Sequence, residues 1–185
     1  MSRKVVSVVG MAGAGKSEVA RVFEDSGFTR VRFGDITDME VKKRSLALNE
    51  ESERYVRELL RKEHGMAAYA RLSLPTIDSA LKHADVVIDG LYSWEEYTFL
   101  KGYFKDRFSV VAVWASPQTR YARLANRAVR PLTAEEAASR DEAEIRKLNK
   151  SAPIVMADFT ILNDSSLKNL EKEAKKSMAL LRRQD

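Results

Sequence analysis

Five short apolar, β-branched runs recur along the chain: "KVVSVVG", "TRVRF", "DVVID", "FSVVAVWAS" and "DFTILN". Polar alternation is absent from the longest of them. That is the pattern of strands covered on both faces, as in a parallel sheet. Between the runs the pattern turns helical. Helices are predicted over residues 16–26, stopped by Gly27, over residues 50–64, stopped by Gly65, and over 94–105, 117–130 and 134–150. Two of these open on start signals, Ser116-Pro117 and the Thr-x-x-Glu of Thr133 and Glu136. A last helix, from about residue 166, spaces Leu167, Leu170, Ala174, Met178 and Leu181 by threes and fours, a stripe that reads as core packing. With no internal repeat or low-complexity linker, this alternation predicts one doubly wound α/β domain that binds ligands at the carboxyl ends of its strands.

The junction of the first strand and first helix carries chemistry. Gly10-Met11-Ala12-Gly13-Ala14-Gly15-Lys16-Ser17 fits G-x-x-x-x-G-K-[ST] at every fixed position. Backbone N–H groups of Gly10, Gly13, Ala14 and Gly15, with the positive end of the following helix, would hold the β-phosphate of ATP. Lys16 would reach the β- and γ-phosphates, and the Ser17 hydroxyl would bind Mg²⁺. Asp89 ends "DVVIDG" beside this loop and supplies a second candidate Mg²⁺ ligand. The next residue is Gly90, where motor and transporter ATPases commonly place a water-activating glutamate, which favours transfer to a substrate over hydrolysis. A GTPase would need Asn-Lys-x-Asp, and Asn149-Lys150-Ser151-Ala152 lacks the aspartate.

Asp35 follows the second strand in "VRFGDITDME". A carboxylate there either accepts a proton from an acceptor hydroxyl or caps a helix beginning near Ile36, and the two roles are compatible. "TRYARLANRAVRP" spaces Arg120, Arg123, Arg127 and Arg130 by threes and fours, so that Arg123 and Arg127 share a face if the helix continues. Such guanidinium groups would stack on a base or neutralise a migrating phosphoryl group from a closing lid. Arg140 has Asp141 beside it as a candidate neutralising partner.

Length and charge narrow the picture. At 185 residues the chain is the size of one domain, and its net charge is +5. The basic residues gather at 42–44, 54–62 and 120–130, with aromatics not interleaved as stacking platforms would need, so small phosphorylated ligands are expected as partners and nucleic acid is not. The absence of cysteine removes disulfides, thiolate zinc sites and thiol catalysis, and two scattered histidines suggest no metal cage. With no signal-peptide or membrane-span pattern, a soluble cytoplasmic protein is expected.

The ordered series "GMAGAGKS", "FGDITDMEVKKR", "EHGMAAYA", "DVVIDGLYSWEE", "VVAVWASPQTRYARLANR", "SRDEAEI" and "ADFTILNDSS" resembles, from end to end, the nucleoside monophosphate kinase group of P-loop proteins. It is most similar to adenylate-kinase-related proteins widespread in archaea, which are themselves similar to dephospho-CoA kinase. The resemblance implies a P-loop NTPase fold, with a five-stranded parallel sheet of order 2-3-1-4-5 and helices on both faces. It also implies an acceptor-binding helical region at about 35–83 and a small helical lid at about 120–150. Arg123 matches the lid arginine that stacks on the base and Arg127 its phosphate-contacting partner. Asn163 falls at the asparagine turn beside the adenine, and Asp35 matches the aspartate directed at the acceptor hydroxyl. Two positions depart from adenylate kinases. Asp38 replaces the arginine that grips the AMP phosphate, and Asp89-Gly90-Leu91-Tyr92-Ser93 replaces Asp-Gly-x-Pro-Arg. Arg54, Arg57, Arg61 and Arg71 are candidates for a different grip. The expectation is an ATP- and Mg²⁺-dependent kinase acting on a nucleotide-like acceptor, such as a nucleoside monophosphate or dephospho-CoA. The alternative is a nucleotide-binding switch or assembly factor with slow ATPase activity on a macromolecular partner.

Overall fold

Alternate side chains of β1 (Val5–Val9) enter two different cores: Val5 and Val9 one, Val6 and Val8 the other. β3 (Val86–Asp89) does the same, with Val86 and Ile88 on one side and Val87 on the other. Unbroken apolar runs therefore mark strands buried twice, as their period of two requires. The computed structural model describes residues 3–129 and 131–182. With β2 (Thr29–Arg32), β4 (Phe108–Trp114) and β5 (Phe159–Leu162), the strands form one all-parallel sheet in the expected order β2-β3-β1-β4-β5.

One face of the sheet is covered by α1 (Lys16–Asp25) and α9 (Leu167–Leu181), which bring Val19 and Phe23 against the Leu170–Ala174–Met178 stripe. The other face packs against α2 (Gly34–Lys43), α3 (Glu50–His64), α4 (Ala68–Ala80), α5 (Trp94–Phe104) and α8 (Ser151–Val155), around Phe33, Tyr69, Leu91 and Phe104. A smaller core of Ala12, Leu124, Leu132 and Ala137 ties the glycine loop to α6 (Pro117–Ala125) and α7 (Ala134–Leu148). The capping box expected at Thr133 and Glu136 is formed at the start of α7. No described helix is long and apolar enough to cross a membrane.

Four expectations are corrected here. The helix read as 117–130 ends at Ala125. The Asn126 amide donates to the Ala122 carbonyl at 2.8 Å, and the Leu132 N–H returns to Leu124 at 3.2 Å, which delivers Leu132 to the small core. Arg127 thus lies on a loop beyond the helix and shares no helix face with Arg123, while Arg130 lies outside the described residues. α2 begins at Gly34, so Asp35 occupies its first turn and caps nothing; Phe33 holds the cap position, without a side-chain bond. Two further helices, α4 and α8, were not read from the residue pattern, although α4 lies in the helical region that the resemblance implied. α4 carries Pro75 in its interior, and α8 is too short to show a period.

Candidate active site

The loop of residues 10–17 admits no side chain at its critical glycines. A Cβ on Gly10 would lie 2.3 Å from the Val113 carbonyl oxygen. Gly15 holds φ at 104°, where a Cβ would meet the Asn163 amide nitrogen at 2.4 Å. Close packing on β4 and on Asn163 therefore fixes glycine at these positions and holds the loop in this conformation.

Neighbouring strands and helices brace this loop. Asn163, 4% exposed, donates its side-chain amide to the Ala14 carbonyl at 2.8 Å, and its own carbonyl accepts from Arg123 Nη2 at 2.8 Å. Arg120 is equally buried and donates to Ala12 O at 3.1 Å, while Asp141 grips its guanidinium at 3.0 and 2.5 Å. Arg120 is thus a strut rather than a member of a mobile cationic face. The expected Arg140–Asp141 pairing does not form, because consecutive helical residues point about 100° apart. Arg140 instead reaches Glu144 at 3.2 Å and Glu50 at 3.4 Å.

The functional side chains converge where β1 and β3 end. Their register places Asp89 opposite Val8, just before the loop. Ser17 Oγ lies 3.5 Å from Asp89 Oδ1, while Asp89 Oδ2 is held by Arg30 at 2.5 Å. A hydroxyl and a carboxylate at this separation are oxygen donors of the sort Mg²⁺ prefers, so the residues present fit that ion. Lys16 Nζ rests on the Met11 carbonyl at 2.9 Å. Burial lowers its pKa to about 7, and Lys150 pushes the same way against the pull of Glu144 and Asp89.

Lys16, Ser17, Arg32, Asp89 and Arg127 line a cleft of about 130 Å³. Tyr92, Arg140, Glu144 and Lys150 also line it; the sequence offered Arg140 as a further lid cation and gave the other three no place in the site. Lys150 is 1% exposed and donates to Glu144 Oε2 at 2.8 Å. Burial alone would raise the Glu144 carboxyl, but Lys150, Arg140 and Lys16 override it and hold the group at about 2. Asn149 ends α7 in the left-handed conformation, with φ 48°, and turns Lys150 inward. An asparagine stop followed by lysine was the only sequence signal available, and it is the same pair that fails the guanine-reader pattern.

A second cleft, of about 1470 Å³, opens between α2–α3 and α7. Asp38, Arg54, Arg57 and Arg61 all line it. Arg57 is already held by Glu50 at 2.5 Å and Glu53 at 3.4 Å, and Arg54 by Glu58 at 3.4 Å. Arg61 differs: it stacks 5.2 Å over the Tyr69 ring, and its Nε and Nη2 are buried with no hydrogen-bond partner. Arg71 sits over Phe99 at 5.0 Å and is not among the lining residues. Asp35 is paired with Arg32 at 2.8 Å, both about half exposed; Gly34 next to it lines both clefts, and Asp35 itself lines neither.

A family model described as an AAA domain matches residues 6–147, from β1 to the last turn of α7. The UPF0200 protein TK1334 of Thermococcus kodakarensis is 38% identical over 176 residues, which cover 93% of this chain and 95% of that protein. The chain belongs to the UPF0200 family. Solved structures extend the likeness of this UPF0200 protein at the level of fold. Shikimate kinase from Bacteroides thetaiotaomicron superposes with a TM-score of 0.61 at 14% identity, covering 97% of this chain and 98% of its own. Dephospho-CoA kinase from Campylobacter jejuni gives 0.56 at 14% identity, covering 98% of each chain. The UPF0200 chain therefore has the fold of P-loop kinases, as its sequence resemblance implied.

Proposed function

We propose that this UPF0200 protein is an ATP-dependent phosphotransferase of adenylate-kinase-related or dephospho-CoA-kinase-like type. It would move the γ-phosphate of ATP to a small, nucleotide-like acceptor, such as a nucleoside monophosphate or dephospho-CoA. One observation carries the reading: a loop open only to glycine, with Ser17 facing Asp89 and Lys16 in the same wall, adjoins a larger cleft of acceptor size that shares part of that wall. The kinases that share the fold act, by their names, on small molecules.

In this reading Gly10, Gly13, Ala14 and Gly15 cradle the phosphates, and Ser17 and Asp89 hold Mg²⁺. The ion, when bound, supplies neutralising charge to the phosphate oxygens. Lys16 follows the γ-phosphate into the transition state, where charge builds up. Arg123, anchored on Asn163, flanks the base end, and Arg127 reaches the phosphoryl group from the loop that precedes α7, so that this segment acts as a lid. With an acceptor that attacks through a hydroxyl, Asp35 exchanges its Arg32 partner for that hydroxyl and takes its proton. The unspent donors of Arg61 hold the acceptor's phosphate. Gly90, in place of a water-activating glutamate, favours transfer over hydrolysis.

The test is transfer of labelled γ-phosphate across nucleoside monophosphates, dephospho-CoA and other phosphorylated metabolites. Transfer to at least one is expected, with Lys16→Ala slower by about 10²-fold or more, the scale of one lost transition-state donor. Equal turnover in Lys16→Ala would overturn the assignment. Phosphate release without any acceptor, accelerated by a macromolecular partner, would put the switch reading in its place.

A further inference from the structure

Lys150 presents an ammonium buried to 1% exposure in the wall of the cleft that Lys16 and Ser17 also line. Packing does not call for a charge there. A buried ion pair adds little net stability, since desolvating two ions offsets their attraction and apolar residues of similar volume do as well. The Lys150–Glu144 pair therefore needs another reason to sit beside the phosphate loop.

Its geometry suggests one. The left-handed turn at Asn149 folds the chain back, so that Lys150 N–H bonds the Glu144 carbonyl at 3.2 Å while Lys150 Nζ bonds the Glu144 carboxylate at 2.8 Å. Arg140 holds the other carboxylate oxygen at 3.2 Å, so Glu144 is fixed from both sides and the lysine with it. One of the three ammonium donors is spent on Glu144, and the nearby Tyr92 ring, 5.4 Å from Nζ, takes no hydrogen bond of ordinary length. Lys16 and Lys150 line this same cleft, so a phosphoryl group entering it would meet both ammonium groups.

We infer that Lys150 is a second phosphoryl-binding lysine, aimed by Glu144, which contacts the terminal phosphate of a bound nucleoside triphosphate and so separates triphosphate from diphosphate. This rests on residues 10–17 being the nucleotide site. Lys150 would hold the outermost phosphate from the side opposite the loop, while Lys16 holds it from the loop itself. A lysine serves here as a compact point charge, where the fork of an arginine would demand a planar partner.

The experiment compares binding of Mg·AMP-PNP and Mg·ADP by isothermal titration calorimetry, in the unaltered protein and in Lys150→Gln. The variant should lose at least about tenfold in affinity for AMP-PNP, the scale of one charge-assisted hydrogen bond, and stay within about twofold for ADP. A purely structural lysine would move both affinities together or neither, and that result overturns the inference. A second measurement needs no variant. In protein with ¹⁵N-labelled lysine, the Lys150 Nζ resonance should shift on adding AMP-PNP and not on adding ADP; an identical response to both also overturns it. If the unaltered protein binds neither nucleotide, the reading of residues 10–17 falls as well, which distinguishes that failure from a failure of Lys150 alone.

Discussion

Glu96 is fully buried behind the loop that follows β3, where its Oε2 accepts the Tyr92 N–H at 2.7 Å and its Oε1 has no partner. Burial raises this carboxyl to about 7, against the pull of Arg61, two backbone bonds and Lys150. Below the ordinary carboxylate pKa both folded and unfolded chains hold the proton. Between about 4.5 and 7 only the folded chain does, so the free energy of unfolding falls as pH rises through that window, by roughly 3 kcal/mol in all. Glu96→Gln keeps an acceptor for Tyr92 and removes the titration. Its melting temperature relative to the unaltered protein should therefore climb by roughly 6–12 °C between pH 5 and pH 8. A difference that stays flat across that range contradicts the assignment. Asp35 poses the other residue-scale question. With capping removed as an explanation, Asp35→Asn should lower turnover by about 10²–10⁴-fold while ATP affinity barely changes, if the carboxylate takes the acceptor proton. Turnover within a few-fold of normal would leave Asp35 as no more than the partner of Arg32.

At the scale of elements, the end of α6 decides how two arginines work. Arg123 lies within the helix and is anchored on Asn163, whereas Arg127 lies past the helix end on the loop toward α7. Arg123→Ala should therefore mainly weaken nucleotide binding, and Arg127→Ala mainly depress turnover, separable by Kd against kcat. Two variants that match the unaltered protein in both would return this segment to a solvated surface. The same helix end shows what a sequence can and cannot disclose. β1 and β3 were legible because both faces are buried, which leaves no polar residue to blur the run. α3 was legible to the residue because Gly65 stops it. The end of α6 was not, since the Leu132 backbone bond that closes it comes from beyond Pro131. Lys150 was illegible for a related reason: a lysine after a helix reads as solvated, and only the left-handed turn at Asn149 and the carboxylate one helical turn and a half before it reveal that it points inward.

At the scale of the whole molecule, the proposed transfer puts the acceptor in the larger cleft, whose charges then limit what it can be. An acceptor phosphate buried without cationic partners is costly, and the two positions that the sequence resemblance would match to the phosphate-holding arginines of adenylate kinases are Asp38 and Ser93 here. Asp38 lines the larger cleft and would repel a phosphate seated beside it. Of the arginines on α3, Arg54 and Arg57 already serve carboxylates of their own helix, which leaves the two unpartnered nitrogens of Arg61 as the free donors on that side. Those nitrogens are held over Tyr69, whose hydroxyl is occupied by Thr37 at 2.7 Å, so the grip is fixed in place rather than adaptable. A phosphate in the place that AMP uses in adenylate kinases would meet a carboxylate, and one at Arg61 would need a longer or differently shaped molecule to bring its hydroxyl to Lys16. AMP should therefore be a poor acceptor, with dephospho-CoA or another phosphorylated metabolite preferred. Steady-state kinetics with AMP give the decision: kcat/KM well below about 10⁴ M⁻¹s⁻¹ is expected, and a value within the ordinary enzyme range of about 10⁴–10⁸ M⁻¹s⁻¹ would mean that the acceptor phosphate finds cations other than Arg61. Arg61→Met separates the two cases, because it should cripple transfer to the preferred acceptor while leaving the affinity for ATP at the proposed phosphate loop unchanged.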